Sequence, residues 1–250
     1  MKKLTILSNK QRIWLRRFAK DNAINLNINT FEGVLYLLKT GCQWRMIPQK
    51  YGHWRSLYHY FRSWSERKWF HKLQRKLLWH SRIRLEQRKS PTTIVIDSQS
   101  VKSGLSKSIK GIDGNKKIKG SKRHISVDSN GLPLGIVVTT ANVHDSKVSH
   151  KLIASTLANY PTINTVKADN GYRGKFADSV NKSTDIDIQC VKSNFGTSEF
   201  IPINGRWVVE RTISWLDNYR RLARNYEQHL HTASAMAKFA FIALMLNRIL

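Results

Sequence analysis

Residues 92–102 read TTIVIDSQSVK. Thr93 to Ile96 are apolar or β-branched without a break, and Asp97, Ser98, Gln99 and Ser100 follow at once. A short run of this kind that stops on polar residues predicts a buried strand delivering its last side chain to a sheet edge. Asp97 is then carried on a rigid element rather than a loop. A carboxylate there fits two roles, a metal ligand or the first residue of a turn. The stretch alone leaves both open.

Further along, Ile163–Ala168 (INTVKA) is a second apolar run that ends on an acid, Asp169, followed by Asn170, Gly171 and Tyr172. Between the two runs, RHISVDSNGLPLGIVVTT predicts a hairpin: a strand at His124–Val127, a turn at Asp128–Gly131 and a strand at Leu134–Thr140. Asp128 belongs to that turn and is set aside as a catalytic residue. Ser149–Tyr160 reads as a helix and Ile186–Val191 as a third strand. Two last helices are predicted, from Arg206 to about Gln228 and from Ala233 to Leu250. The order of strand, hairpin, helix, strand, helix, strand, helix predicts an α/β domain around one mixed sheet. Two strands that both end in Asp favour a shared sheet edge.

A third acid beyond residue 192 comes from Glu199, Glu210, Asp217 or Glu227. In RWVVERTISWLDNYRRLARNYE (206–227), Val209, Ile213, Leu216 and Tyr219 form an inner stripe at helical spacing. Arg206, Glu210, Ser214, Asp217 and Arg221 form a polar stripe beside it. Glu210 lies in the first turns, where a packed helix can aim it at the sheet edge. Asp217 is two turns further on, roughly 10 Å away at 1.5 Å per residue, so the two cannot share one metal pair. Three carboxylates suit phosphodiester chemistry because Mg²⁺ or Mn²⁺ prefers oxygen ligands. Two such ions about 3.5–4 Å apart can activate an attacking oxygen and stabilise a leaving one. The same residues fit a structural role equally, with two turn aspartates and Glu210 paired to Arg206 or Arg211.

The chain carries 43 Lys and Arg against 16 Asp and Glu, a net charge of +27 over 250 residues. Such an excess points to a polyanionic partner. It is uneven: residues 1–90 hold 21 basic and 4 acidic side chains, and the rest hold 22 and 12. Ser8 caps a predicted basic helix over 8–20, and Thr30 caps a core helix that Gly41 ends. In the segment starting at His53, Trp54, Leu57, Tyr58, Phe61 and Trp64 recur at spacings of three and four, opposite Arg55, His59, Arg62 and Arg67. Another basic helix follows to about Arg88. Residues 1–90 are therefore expected to form a small all-α, helix-turn-helix-like domain that grips DNA, its exposed face led by Arg55, His59 and Arg62. Residues 103–122 hold four glycines and six lysines, predicting a flexible basic loop that touches phosphate through Lys116, Lys117, Lys119 and Lys122.

Cys42 and Cys190 form no CxxC pair, which excludes a cysteine zinc site or a disulfide framework, and His229 and His231 lack cysteine partners. The opening MKKLTILSNK has too short an apolar run for a signal peptide, and no uncharged apolar stretch reaches bilayer length. A cytoplasmic protein without a membrane partner is expected.

Several of these stretches together resemble the DDE transposases of bacterial insertion sequences, and more narrowly the fifth large family of those elements. The matching motifs are DSQSVKS (97–103), KGSKRHISVD (119–128), TTANVHDS (139–146), ADNGYRG (168–174) and the segment 206–227. VLYLLKTGCQWRMIP (34–48) and YHYFRSW (58–64) are similar to the helical domain that precedes catalysis there. The resemblance implies a ribonuclease-H-like mixed sheet flanked by helices over residues 91–250. It puts Asp97, Asp169 and Glu210 on the catalytic and metal-binding acids. It also implies two Mg²⁺ ions (or Mn²⁺), and an enzyme that binds its element's terminal inverted repeats as a homo-oligomer, cleaves there and transfers the strand to target DNA. Lys102, Arg206, Arg211, Arg220 and Arg221 join the expected contacts to double-stranded DNA. His144 also falls in a family motif. Two positions depart from the family signature: Ile203 stands for a tyrosine, and Asp217 for a basic residue seven after Glu210. The rival expectations are a non-catalytic DNA-binding regulator derived from a transposase, and a metal-dependent nuclease without strand transfer.

Overall fold

The β-branched run at 93–96 becomes part of a ten-residue strand, β1 (Thr93–Lys102), inside the sheet. The structure, a computed structural model, describes residues 5–105, 107–169, 186–190, 205 and 207–249. Among them β2 (Gly111–Asp113), β3 (Ile118–Asp128), β4 (Pro133–Thr140), β5 (Thr165–Ala168) and β6 (Asp187–Cys190) complete one sheet. Its main order is β4–β3–β1–β5–β6, with β2 alongside the start of β3. β3 runs antiparallel to β1, β2 and β4, whereas β1, β5 and β6 are parallel. This is the mixed sheet that the sequence predicts, and it agrees with the ribonuclease-H-like domain that the resemblance implies.

β1 does not end at Asp97. It continues to Lys102 because β3 pairs with it from Ile94↔Asp128 to Lys102↔Gly120, while β5 pairs only with residues 93–95. Backbone pairing ignores the change from apolar to polar side chains, so the strand outruns its apolar half. The basic segment 103–122 is likewise not all loop. Asp113 Oδ1 accepts the N–H groups of Asn115 and Lys116 at 3.0 and 3.1 Å, an Asx-type turn that folds β2 back onto β3.

The helices are α1 (Asn9–Asp21), α2 (Ile28–Thr40), α3 (Trp54–Trp64), α4 (Lys68–Arg84), α5 (Asp145–Asn159), α6 (Trp207–Asp217) and α7 (Leu230–Ile249). Ser8 closes a capping box with Gln11 on α1. The cap of α2 is Asn27 rather than Thr30, since the Asn27 side chain accepts the Thr30 N–H at 3.1 Å and Ile28 already turns into the core. Gly41, at φ +70°, ends that helix as expected. The predicted helix over 206–228 stops at Asp217, and a short 3-10 turn at Arg220–Leu222 takes its place. Val208, Val209, Thr212 and Leu216 are its buried residues, in place of the stripe through Ile213 and Tyr219.

α7 joins the helical region to the sheet. It packs on α2, α3 and α4 on one side and on β4 on another. Phe239 sits among Phe31, Phe61 and Phe70 with ring centroids 5.7, 5.6 and 4.8 Å away. Phe239, Ala240, Phe241 and Ile242 are all fully buried, so every side of the helix is covered. α7 is long and apolar enough to cross a membrane, and here protein, rather than lipid, surrounds it.

Candidate active site

Strand register decides which side chains share a face of the sheet. β1 and β5 pair as Thr93↔Thr165, Ile94↔Val166 and Val95↔Lys167. The same offset, carried two residues on, sets Asp97 level with Asp169, which directly follows β5. Neighbouring strands lie about 4.8 Å apart, and level residues on them face the same way. The two aspartates that the sequence singled out therefore stand side by side where β5 stops and β1 goes on. Both are half-buried, and like charges so placed repel one another.

α6 lies over that same face. Gln99, two residues beyond Asp97 and hence on its side of β1, donates from Nε2 to both oxygens of Asp217, each at 3.1 Å. Arg123, the β3 partner of Gln99, donates to Gln99 Oε1 at 3.3 Å and to the Leu222 carbonyl at 2.8 Å. Midway along α6, Arg211 donates to the Asn130 carbonyl at 2.8 Å and Thr212 to the Gly131 carbonyl at 2.6 Å. Gly131 has φ +75°, and a Cβ there would meet Thr212 Oγ1 at 2.9 Å and the Val208 carbonyl at 3.0 Å. Only glycine allows the helix this close to the turn.

These contacts orient Glu210. Residues seven apart share a helix stripe, so Glu210 and Asp217 lie on one side of α6. Asp217 reaches Gln99, and Glu210 lies about 10 Å back along the axis, the length of roughly three strand residues. Among the described residues no three His, Cys, Asp or Glu side chains are grouped closely enough to hold a metal ion together. The structure thus brings the two aspartates into one row and α6 above it, without closing the three acids into a cage. Carboxylates so placed can hold an oxygen-seeking cation between strand ends and helix.

The other face of the sheet carries a second charged set. Lys122 lies 3.5 Å from Asp113 and 3.2 Å from Asp145. It also donates to the Val143 carbonyl at 3.2 Å. Lys122 is buried, and this removes it from the expected DNA contacts: its charge is spent on two acids of the fold. Asp113 also accepts from Ser100. Burial pushes its carboxyl up, and the Ser100 hydroxyl, the Lys116 and Asn115 N–H groups and Lys122 together bring it down to about 2. His124 Nδ1 is 3.7 Å from Asp145. Burial lowers the ring to about 4, with Asp145 opposing and Lys122 adding to the fall.

Arg221 is a second correction. It is buried and pairs with Glu227 at 2.8 Å, so neither residue faces the site. Asp128 is a buried turn residue, as expected, held by Arg82 and by the N–H groups of Asn130 and Leu132. His144 caps α5, its Nδ1 paired with the Ser146 hydroxyl at 2.8 Å.

Arg55, His59, Arg62, Lys102, Lys116, Lys117, Lys119 and Arg220 are exposed. Arg55, His59 and Arg62 line one cavity of ≈ 420 Å³ on α3. Arg211 is stacked between Trp207 and Trp215, at 4.3 and 4.7 Å. Arg206, Glu199 and Ile203 lie outside the described residues. Sequence reading missed Gln99 and Arg123. The available signal was the parity of Gln99 with Asp97, but nothing in the sequence shows which helix residue it meets.

Residues 88–246 match the transposase DDE domain family. Residues 21–74 match a family described as putative transposase of the IS4/5 family. A putative transposase for insertion sequence element IS402 from Burkholderia cepacia is 31% identical over 139 residues, which cover 51% of this chain and 64% of that relative. The chain thus matches just under two thirds of the relative's length. With one family spanning most of the chain and the other its first helices, the protein belongs to the DDE-domain transposases, with a helical region of the IS4/5 type.

Proposed function

We propose that this transposase binds the terminal inverted repeats of its own insertion sequence, cuts DNA at the element's ends and joins the freed ends to target DNA. The observation that carries this reading is the shared row of Asp97 and Asp169 beneath the helix that bears Glu210. The donor chemistry fits Mg²⁺ or Mn²⁺, because all three groups are hard oxygen donors. Asp97 and Asp169 would hold two such ions from the strands, and Glu210 would complete their coordination from α6. When bound, these ions lower the pKa of an attacking water or hydroxyl and stabilise the departing oxygen.

The protein's own share is to place the DNA. Residues 1–90 act as the gripping part and residues 91–250 as the cutting part. The α3 face (Arg55, His59, Arg62) and the β2–β3 tip (Lys116, Lys117, Lys119) hold phosphates, and Lys102, Arg211 and Arg220 hold the strand nearer the acids. Two copies on paired ends would let one complex cut and join both.

The purified protein with Mg²⁺, end-containing DNA and a target plasmid provides the test. The expected products are nicked ends followed by joined strands. Asp169→Ala is expected to abolish both while DNA binding in a mobility shift survives. Cleavage retained by Asp169→Ala overturns the site assignment. Binding without cleavage in the wild type points to a regulator, and cleavage without joining to a nuclease.

A further inference from the structure

Asp217 ends α6, where the unsatisfied carbonyls of a helix terminus disfavour a negative charge. Its place there is explained by what it touches. The Gln99 amide nitrogen donates to both Asp217 oxygens, and the oxygen of the same amide takes the Arg123 guanidinium. Arg123 is buried, and its second contact is the Leu222 carbonyl, in the 3-10 turn after α6. One chain of polar contacts therefore runs from β3 through β1 to the end of α6 and the turn behind it. It meets β1 two residues from Asp97, and α6 carries Glu210 two turns from its anchored end.

We infer that Gln99 and Arg123, with Asp217, form a clamp that sets the distance between Glu210 on α6 and the aspartate row on β1 and β5. They are positioning residues, which touch neither metal nor DNA, and the inference rests on the catalytic reading above. The physical basis is leverage. Midway along, α6 is held to the β3–β4 turn by Arg211 and Thr212, so the contact at its end fixes the remaining tilt across the strands. Mg²⁺ and Mn²⁺ sites demand near-ideal octahedral placement of few ligands, so a small tilt would cost affinity. Asp217 also places a negative charge near Arg123, whose hydrogen-bond partners, the Gln99 amide oxygen and the Leu222 carbonyl, are neutral. Burial already lowers Arg123 to about 10, against the raising influence of Asp217. The acid at position 217 thus has a role of its own, despite standing where the family pattern carries a basic residue.

The clamp is tested by Mn²⁺ binding to the full chain, measured by calorimetry or electron paramagnetic resonance, with circular dichroism as the folding control. Gln99→Glu sets a carboxylate against Asp217 and should weaken Mn²⁺ binding about tenfold, the usual scale for groups that orient metal ligands. The double change Gln99→Glu with Asp217→Asn reverses the polarity of the contact, since the new amide donates to the new carboxylate while Arg123 keeps its acceptor. It should restore affinity to within about twofold of wild type, which general loss of stability would not do. Unchanged affinity in Gln99→Glu, or no recovery in the double variant, overturns the clamp. If Gln99→Glu fails to fold, Asp217→Asn alone is measured, and unchanged Mn²⁺ affinity there overturns it too. Asp97→Ala serves as the separate control. If it leaves Mn²⁺ binding intact, the catalytic reading itself falls, whereas weakened binding in Asp97→Ala alone removes only the clamp.

Discussion

The two faces of one sheet treat their acids in opposite ways. On the α5 side, Asp113 and Asp145 share Lys122 between them, and Ser100 and backbone N–H groups take further lone pairs. The protein supplies its own cation there, and the set is closed. On the α6 side, register brings Asp97 and Asp169 level on parallel strands and leaves Glu210 on an exposed turn of helix. Strand geometry does the gathering on that side. The contrast teaches that acids in this fold are brought together in two different ways. What separates the two sets is how they are gathered, by ion pairing to Lys122 on one face and by strand register on the other.

The largest expected effect breaks that contrast from both sides. Asp169→Ala should lower strand cleavage by about a thousandfold or more, the scale for removal of a central catalytic group, with little change in melting temperature. Asp145→Ala should leave most of the cleavage rate intact. A similar rate loss in both variants, measured on a labelled end substrate, would erase the distinction.

Next in size is Lys122→Met. It leaves Asp113 and Asp145 facing each other without their cation, and should cost about 3–5 kcal/mol of stability, as for a buried pair deprived of one partner. Chemical denaturation checks this. A loss below about 1 kcal/mol would mean that the lysine is a surface residue after all.

A pH dependence sharpens the same face. His124 stays neutral in the fold down to about 4, whereas in the unfolded chain it takes a proton below about 6.5. Its contribution to stability is therefore fully present above about 6.5 and is lost as pH falls towards 4. Asp113, held down at about 2, contributes stability above about 4 that is lost as pH falls further. Melting temperatures of the wild type and of His124→Gln between pH 8 and 4.5 should converge at the acidic end. Parallel curves would remove His124 from the account.

The smallest expected effect concerns grip. Arg62→Ala on the exposed α3 face should weaken DNA binding severalfold and reduce the slope of log affinity against log salt by about 1, as for loss of one phosphate contact. An unchanged slope would show that α3 faces away from the duplex.

Much of the fold was legible because it rests on local pattern. The β-branched run before Asp97, the apolar run before Asp169, the turn at Asp128 and the largely apolar α7 each declare themselves within a few residues. Glu210 was legible as an acid beside a buried stripe early in a helix. What sequence pattern could not determine was pairing across distance. Lys122 and Lys119 look alike in the sequence, yet β3 turns Lys122 towards Asp113 and Asp145 and leaves Lys119 exposed. Arg221 and Arg220 are neighbours, and only the first is buried against Glu227. β1 outruns its apolar half because β3 supplies hydrogen bonds along its whole length, information that resides in β3.

The sequence by itself determined most of the strands and helices and singled out the three acids, since hydrophobic period and residue chemistry are properties of short segments. Tertiary structure alone decided that Asp97 and Asp169 stand level, that Asp217 meets Gln99, and which basic side chains remain exposed. Those outcomes depend on strand register and helix placement, which are settled by contacts between residues tens to more than a hundred positions apart.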